Sequence, residues 1–402
     1  MAERKRPAAV LDAVHATTTQ GSASGSKRSR TSIGSTDEYD QISRIGEGGF
    51  AVVYKARHCV TGKTVAVKCL SLPDDTEESP DDAEAELLRE ARFLETCSGN
   101  PYVVGFEGLV RDPTNGDLFL AMEYVAAPSL HTFLWGRRHG PPLPETEVRS
   151  FMWKLLSGAK MMHDRRVVHR DIKPANILVG QGGELVKICD LGLAISKSEP
   201  PPYNQAGTAW YIAPEMLLGK PDYDARVDTW SLGCVMAEML TGKTLFLCED
   251  DDEDDEEIDE EIKDEILQLR SIFRVLGMPD KRTWPGLRSL PLTAKALQLL
   301  PAEHKRSSLR DIFPEEKLSK EGFEVLQGLL TCNPNKRLTA AKALKLPWFI
   351  APCPAAAPKI DIDPSLVVPP RKKTPRIKFI PPAVPEKITF TIPVAMWNAQ
   401  RV

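Results

Sequence analysis

VVHRDIKPANILV, residues 167–179, decides how this chain is read. His169, Arg170, Asp171, Lys173 and Asn176 stand between two short apolar runs. Apolar runs of that size become buried strands, where charge is costly, so the polar residues need a purpose. Downstream, ILV (177–179) and ELVKIC (184–189) flank GQGG (180–183), which reads as a β-hairpin. A hairpin returns the chain to its start, so Asn176 and Asp190 lie at one end of it. Oxygens of Asn and Asp are hard ligands suited to Mg2+. Asp171 lies five residues before Asn176 on the same loop. The apolar runs are then scaffold, and the polar residues line a phosphate and metal site.

Upstream, TVAVKCL (64–70) puts Ala66, Lys68 and Leu70 on one face of a strand. A lysine among apolar neighbours needs an anionic partner. EAELLREARFLETC (84–97) reads as a helix whose apolar stripe of Leu87, Ala91 and Leu94 also contains Glu90. That carboxylate is the natural partner for Lys68. GEGGFAVV (46–53) lies between two strand-like runs, and glycines there let backbone N–H groups approach a phosphate.

These stretches, in this order, resemble the eukaryotic protein kinases. GEGGFAVV is similar to the Gly-rich loop, although Ala51 stands at its third glycine. VAVK is similar to the strand carrying the ATP-phosphate lysine, and HRDIKPAN to the catalytic loop. DLG (190–192) stands where the family usually has DFG, and APE (213–215), DTWSLG (228–233) and NKRL (335–338) follow. The resemblance implies an α+β bilobal kinase fold, with a small β-rich N-lobe and a larger, mainly helical C-lobe. It implies ATP as substrate and Mg2+ as cofactor.

Roles follow from the resemblance. Lys68, held by Glu90, contacts the ATP phosphates, and Asp190 and Asn176 bind Mg2+. Asp171 orients the substrate hydroxyl and accepts its proton, and Lys173 neutralises the transferred group. Ile45, Gly46, Glu47, Gly48, Gly49, Phe50, Ala51 and Val53 cover the nucleotide. Ala66, Met122, Glu123, Val125 and Leu178 line the adenine pocket, with Met122 as gatekeeper. Glu215 pairs with Arg337, and Asp228 is structural. Lys173, together with Thr208 in GTAWYIAPE, resembles the Ser/Thr kinases rather than the tyrosine kinases.

ILQLRSIFRVLGMPDKRTWPG (266–286), residues 309–349 and IDPSLVVPP (362–370) make the chain most similar to cyclin-dependent kinases. That implies a cyclin-like regulatory subunit and a role in cell-cycle or transcription control. Three positions depart. ELLREARFL is not the cyclin-contact sequence of cell-cycle members. The activation segment SKSEPPPYNQAGTAWY (196–211) has no Thr at the usual activating site, leaving Ser196, Ser198 and Tyr203 as candidates, with Glu199 as a partial substitute. Arg170 of such a motif coordinates an activating phosphate. Ile212 stands in place of an Arg that shapes preference for Pro after the phosphosite. A pseudokinase scaffold is the reading from a different class, but Lys68, Asp171 and Asp190 are all present.

The predicted organisation is a disordered basic tail over 1–38, a kinase domain over 39–349 and a Pro-rich tail over 350–402. Within the domain, the N-lobe covers about 39–125 and the C-lobe about 126–349. EDDDEDDEEIDEEIKDE (249–265) is interrupted only by Ile258, Ile262 and Lys263, so it reads as a solvated insertion or a docking site for a basic partner. The net charge of −4 names no partner, and there is no direct nucleic-acid signal. Eight scattered cysteines without a C-x-x-C pair point to a reducing compartment. No apolar run approaches the roughly 20 residues that span a bilayer. Two basic clusters, KRSR (27–30) and RKKTPRIK (371–378), favour the nucleus over the cytoplasm. Cys189, beside Asp190, is either a small buried residue or a thiol open to covalent ligands.

Overall fold

The computed structural model describes residues 33–47, 51–70, 80–137, 141–180, 183–247, 262–300 and 306–350. The first lobe carries β1 (Ile33–Ser35), β2 (Tyr39–Glu47), β3 (Ala51–His58), β4 (Thr64–Leu70), α1 (Pro80–Thr96), β5 (Phe106–Arg111) and β6 (Leu118–Glu123). Its strands form one sheet in the order β1-β5-β6-β4-β3-β2. All pairs are antiparallel except β1 with β5.

Alternation along β4 gives the sheet two buried faces. Val65 and Val67 join Ala56, Val110 and Phe119 in a small cluster on one face. Ala66 faces the other way, into the main core with Leu87, Ala91 and Leu94 of α1. Lys68 continues that second face, which aims its ammonium at the helix. The expected strands and the first helix therefore form where the periodicity put them.

The expectation of disorder over 1–38 fails for residues 33–38. Ile33 and Ser35 pair in parallel with Leu109 and Arg111, which covers an otherwise open sheet edge. The following turn, Thr36–Glu38, is closed by a capping box between Ser35 and Glu38. Residues 1–32 lie outside the described residues.

The second lobe begins with α2 (Leu130–Gly136) and α3 (Glu145–Asp164). Four short strands follow: β7 (Val167–Val168), β8 (Ile177–Val179), β9 (Val186–Ile188) and β10 (Ile195–Ser196). The remainder is helical: α4 (Pro214–Leu217), α5 (Arg226–Thr241), α6 (Lys263–Leu276), α7 (Thr293–Leu299), α8 (Leu309–Ile312), α9 (Lys320–Leu329), α10 (Ala340–Ala343) and α11 (Pro347–Ile350). Helix α5 is buried on every side from Val227 to Leu240, which makes it the axis of this lobe. Gly242, at φ +72°, ends it in a left-handed cap whose N–H donates to Glu238 O at 2.7 Å.

β8 and β9 form the predicted hairpin, with Ile177 opposite Ile188 and Val179 opposite Val186. The acidic stretch 249–265 is not wholly an insertion. Ile262 is buried, and α6 starts at Lys263, since Ile262, Ile266 and Leu269 recur at helical spacing on the core side. Residues 249–261 and the tail from 351 lie outside the described residues. Among the described residues, no helix is long and apolar enough to cross a membrane.

Candidate active site

Lys68 joins three elements. Its Nζ donates to Glu90 Oε2 at 2.7 Å and to Asp190 Oδ1 at 2.9 Å. Lys68 and Glu90 are buried, while the Asp190 side chain is 47% exposed and faces the cleft. Burial pulls the Lys68 ammonium down, but the two carboxylates outweigh it and the net shift is upward. Burial pushes the Asp190 carboxyl up, yet Lys68 holds it below the ordinary carboxylate value. Asp190 is therefore an ionised oxygen ligand at the mouth of the site. Its backbone sits at φ +64°, an arrangement uncommon for a residue with a side chain and typical of functional sites.

Asp171 is surrounded by donors. Thr208 Oγ1 donates to its Oδ1 at 2.8 Å, and Lys173 Nζ stands 2.9 Å from its Oδ2. Asn176 Nδ2 donates to Oδ2 at 3.0 Å and to the Asp171 carbonyl at 2.9 Å. Lys173 Nζ also reaches Thr208 Oγ1 at 2.7 Å. With Nδ2 committed, Asn176 has its amide oxygen left as a ligand. Cys189 N donates to Asn176 O at 2.9 Å, which brings Asn176 and Asp190 to the same end of the hairpin.

The loop carrying Asp171 is pinned from below. Asp228, fully buried at the start of α5, accepts the N–H of Arg170 at 2.8 Å and of His169 at 3.0 Å. His163 Nε2 lies 2.8 Å from the same carboxylate. Burial would raise the Asp228 carboxyl, but the His163 contact and the backbone donors lower it. These bonds hold Arg170 at φ +71°. His169 Nε2 lies 3.1 Å from Cys189 O, tying the loop to the hairpin.

Three neutral oxygens lie beside Arg170. Arg170 donates from Nε to Leu193 O at 2.6 Å, and from Nη1 to Asn204 O at 2.9 Å and Tyr223 Oη at 2.8 Å. Among the candidate phosphosites, Ser196 ends β10, and Ser196 Oγ accepts the N–H of Ser198 at 3.1 Å. Tyr203 Oη donates to Glu199 O at 2.7 Å. Glu199 itself pairs with Arg89 of α1 at 3.2 Å.

The sheet supplies the nucleotide-pocket candidates. Gly46 pairs with Val53, and Ala66 with Met122. Ala66 and Met122 are buried; Ile45 is exposed at the sheet rim. Ala51 opens β3, and Glu47 closes β2 opposite Val52. Glu123 ends β6, and its side chain is held by Lys187 of β9 at 2.8 Å and by Gly105 N at 3.0 Å. Val125 accepts Ala127 N at 2.9 Å, and Leu178 bridges to Ser129. Gly48, Gly49 and Phe50 lie outside the described residues.

Farther away, Arg337 and Glu215 form a buried two-pronged pair, Nη1 to Oε1 at 2.6 Å and Nη2 to Oε2 at 2.7 Å. Leu191 fills a fully buried position in the core. Cys189 is half-buried and packs against the core, and burial, reinforced by Asp190, pushes its thiol up to about 12. Sequence reasoning did not find His163, Tyr223, Lys187 or Arg89. Their partners are 19 to 110 residues away, and no local pattern marks them.

The protein kinase domain family matches residues 39–349 of the chain. A putative cyclin-dependent kinase F-2 of Oryza sativa subsp. japonica is 42% identical over 78% of this chain and 90% of its own length. Cyclin-dependent kinase 20 of Homo sapiens is 35% identical over 84% of this chain and 91% of its own. Cyclin-dependent kinase G1 of Arabidopsis thaliana is 36% identical over 78% of this chain, which spans about half of that relative, 49%. ATP as phosphoryl donor and protein as acceptor come with the family. The chain belongs to the eukaryotic Ser/Thr protein kinases and, among them, is like the cyclin-dependent kinases.

Proposed function

We propose that phosphoryl transfer from ATP to Ser/Thr hydroxyls is carried here by Asp171, Lys173, Lys68 and Glu90. The observation that supports this best is the closed cluster of Thr208, Lys173 and Asn176 around Asp171. Asp171 accepts the proton of the attacking hydroxyl and orients its oxygen. Lys173 faces the same carboxylate and offsets charge on the transferred group. Lys68, locked by Glu90, orients the α- and β-phosphates. The transition state is loose, so positioning and electrostatics carry most of the acceleration. Adenine sits against Ala66, Met122, Val125 and Leu178, with the backbone of Glu123 and Val125 as its hydrogen-bond edge.

Among the described residues there is no cluster of three or more His, Cys, Asp or Glu arranged for a metal. Mg2+ needs less, one or two protein oxygens plus substrate phosphates. The ionised Asp190 and the free amide oxygen of Asn176 fit that demand. Bound there, Mg2+ neutralises phosphate charge.

A cyclin-like subunit is proposed because the relatives carry that name. A second reading, activity as a single chain, is favoured by the closed Lys68–Glu90 contact. Nuclear placement is proposed from the two basic clusters and is tested by the distribution of a fluorescent fusion lacking them. Ile212 is buried, so a relaxed preference for Pro after the acceptor is also proposed.

The deciding experiment is transfer from Mg·ATP to Ser/Thr peptides with and without Pro after the acceptor. The enzyme is assayed alone and with cyclin-containing extract. Transfer that is lost in Asp171→Asn and on metal removal supports the assignment. Undiminished transfer by Asp171→Asn overturns it.

A further inference from the structure

Arg170 Nη1, Tyr223 Oη and Asn204 O form a closed triangle. Arg170 Nη1 reaches Tyr223 Oη at 2.8 Å and Asn204 O at 2.9 Å, and Tyr223 Oη donates to Asn204 O at 2.7 Å. Tyr223 is 1% exposed, while Arg170 is half-buried and Asn204 is exposed. Its ring packs against Tyr203 at 5.4 Å, and Lys197 stands 4.2 Å over the Tyr203 ring while donating to Tyr223 O at 2.8 Å. Tyr203 N donates to Pro221 O at 2.8 Å.

The triangle lies between two parts of the site. Arg170 precedes Asp171 directly. Asn204 lies four residues before Thr208, whose hydroxyl donates to Asp171. Fixing Asn204 to Arg170 therefore limits where Thr208 can stand. The second tether, Glu199 to Arg89, holds the start of the same segment against α1. Between Ser198 and Thr208 the only hydroxyl side chain is Tyr203, and its Oη is turned to Glu199 O.

We propose that Tyr223 is a positioning residue for phosphoryl transfer, whose hydroxyl fastens segment 203–208 to Arg170 so that the segment is held without a phosphate. The proposal rests on the assignment of Asp171 above. Burial keeps the Tyr223 hydroxyl protonated, with Arg170 opposing, so it remains a donor to Asn204. Loss of the hydroxyl leaves Asn204 O with Arg170 alone and removes the link to the stretch before α5.

The test uses the full chain as wild type, Tyr223→Phe and Arg170→Lys, each with and without phosphatase treatment. Two readouts are taken: kcat and KM for peptide and ATP, and hydrogen exchange at the Tyr203 amide. In Tyr223→Phe, kcat falls about tenfold and exchange at Tyr203 quickens about tenfold, the size of one lost hydrogen bond. KM for ATP stays unchanged, and exchange at the buried amides of α5 stays as in wild type, which a general loss of folding would not give. Arg170→Lys breaks the triangle from its other corner and quickens the same amide. Phosphatase leaves wild-type kcat and exchange as they were. Wild-type exchange and kcat in Tyr223→Phe overturn the proposal, as does loss of wild-type protection on phosphatase treatment. If the Asp171 assignment alone were wrong, Asp171→Asn would stay active while the exchange result stood.

Discussion

Asp228 and Arg170 are 58 residues apart in sequence, yet the Arg170 N–H donates to Asp228 Oδ1 at 2.8 Å. The other oxygen takes the His169 N–H and contacts His163. One buried carboxylate thus fixes two successive peptide units of the loop that presents Asp171. In Asp228→Ala, those N–H groups lose their acceptor within the core. The cost of stranding buried donors is about 1–3 kcal/mol each. We expect Tm to fall by several degrees and kcat to fall about 100-fold or more, read by thermal unfolding and peptide phosphorylation. Asp228→Asn keeps one acceptor oxygen and lies between the two. Equal kcat in all three proteins would show that the pin does not act on Asp171.

The Lys68 site separates stability from function. Lys68→Met leaves the buried Glu90 carboxylate facing apolar carbon instead of its 2.7 Å cation. Breaking such a pair by removing one partner costs about 3 kcal/mol. Adding Glu90→Gln removes the stranded charge. The double variant is therefore expected to regain much of the lost Tm while remaining inactive, because no ammonium meets the phosphates. Recovery of activity along with Tm would mean that Lys68 is needed only for folding.

The site was largely legible where charge contradicted its surroundings. Lys68 in an apolar strand and Glu90 in an apolar helix stripe each required a partner, and each is the other's. Asn176 and Asp190 were brought together by a hairpin that GQGG announced. The resemblance implied the Glu215–Arg337 pair, but the contacts of Tyr223 were not legible. Tyr223 lies 19 residues from Asn204 and 53 from Arg170, and a tyrosine in PDYD looks like any loop residue until the fold closes. β1 escaped because a three-residue strand, IGS, has too few positions to show a period. Its pairing comes from the free edge of β5, not from its own composition.

Glu238 contributes a pH dependence to stability. It is buried in α5, and Tyr211 Oη donates to its Oε2 at 2.7 Å. Burial raises its carboxyl, and the Tyr211 bond only partly opposes this. A carboxyl raised in the fold stabilises the protein fully below its ordinary value of 4.5, and that contribution is lost as pH rises through the folded value. Glu238→Gln is neutral throughout and keeps an acceptor for Tyr211. Its Tm at pH 8 is expected to exceed wild type by a few degrees, with the gap closing as pH falls towards 4.5. A gap that is constant across this range would place the titration elsewhere.

Gly207 tests whether the segment's position matters for transfer. Its φ of +116° is a glycine conformation, and a Cβ there would stand 2.6 Å from Arg170 O. That oxygen belongs to the pinned loop and cannot retreat, so the segment must move instead and carry Thr208 off Asp171. Gly207→Ala is expected to lower kcat/KM for peptide about 100-fold with KM for ATP unchanged. Gly242→Ala is the control. Gly242 also has positive φ, +72°, but open space surrounds its Cβ position, so only backbone strain is added. That strain costs about 1 kcal/mol of stability and no activity. If both variants lose Tm alike and neither loses transfer, the contact between Thr208 and Asp171 does not govern the rate. If only Gly207→Ala loses transfer, close approach of the segment to the Arg170 carbonyl is what sets Thr208 in place.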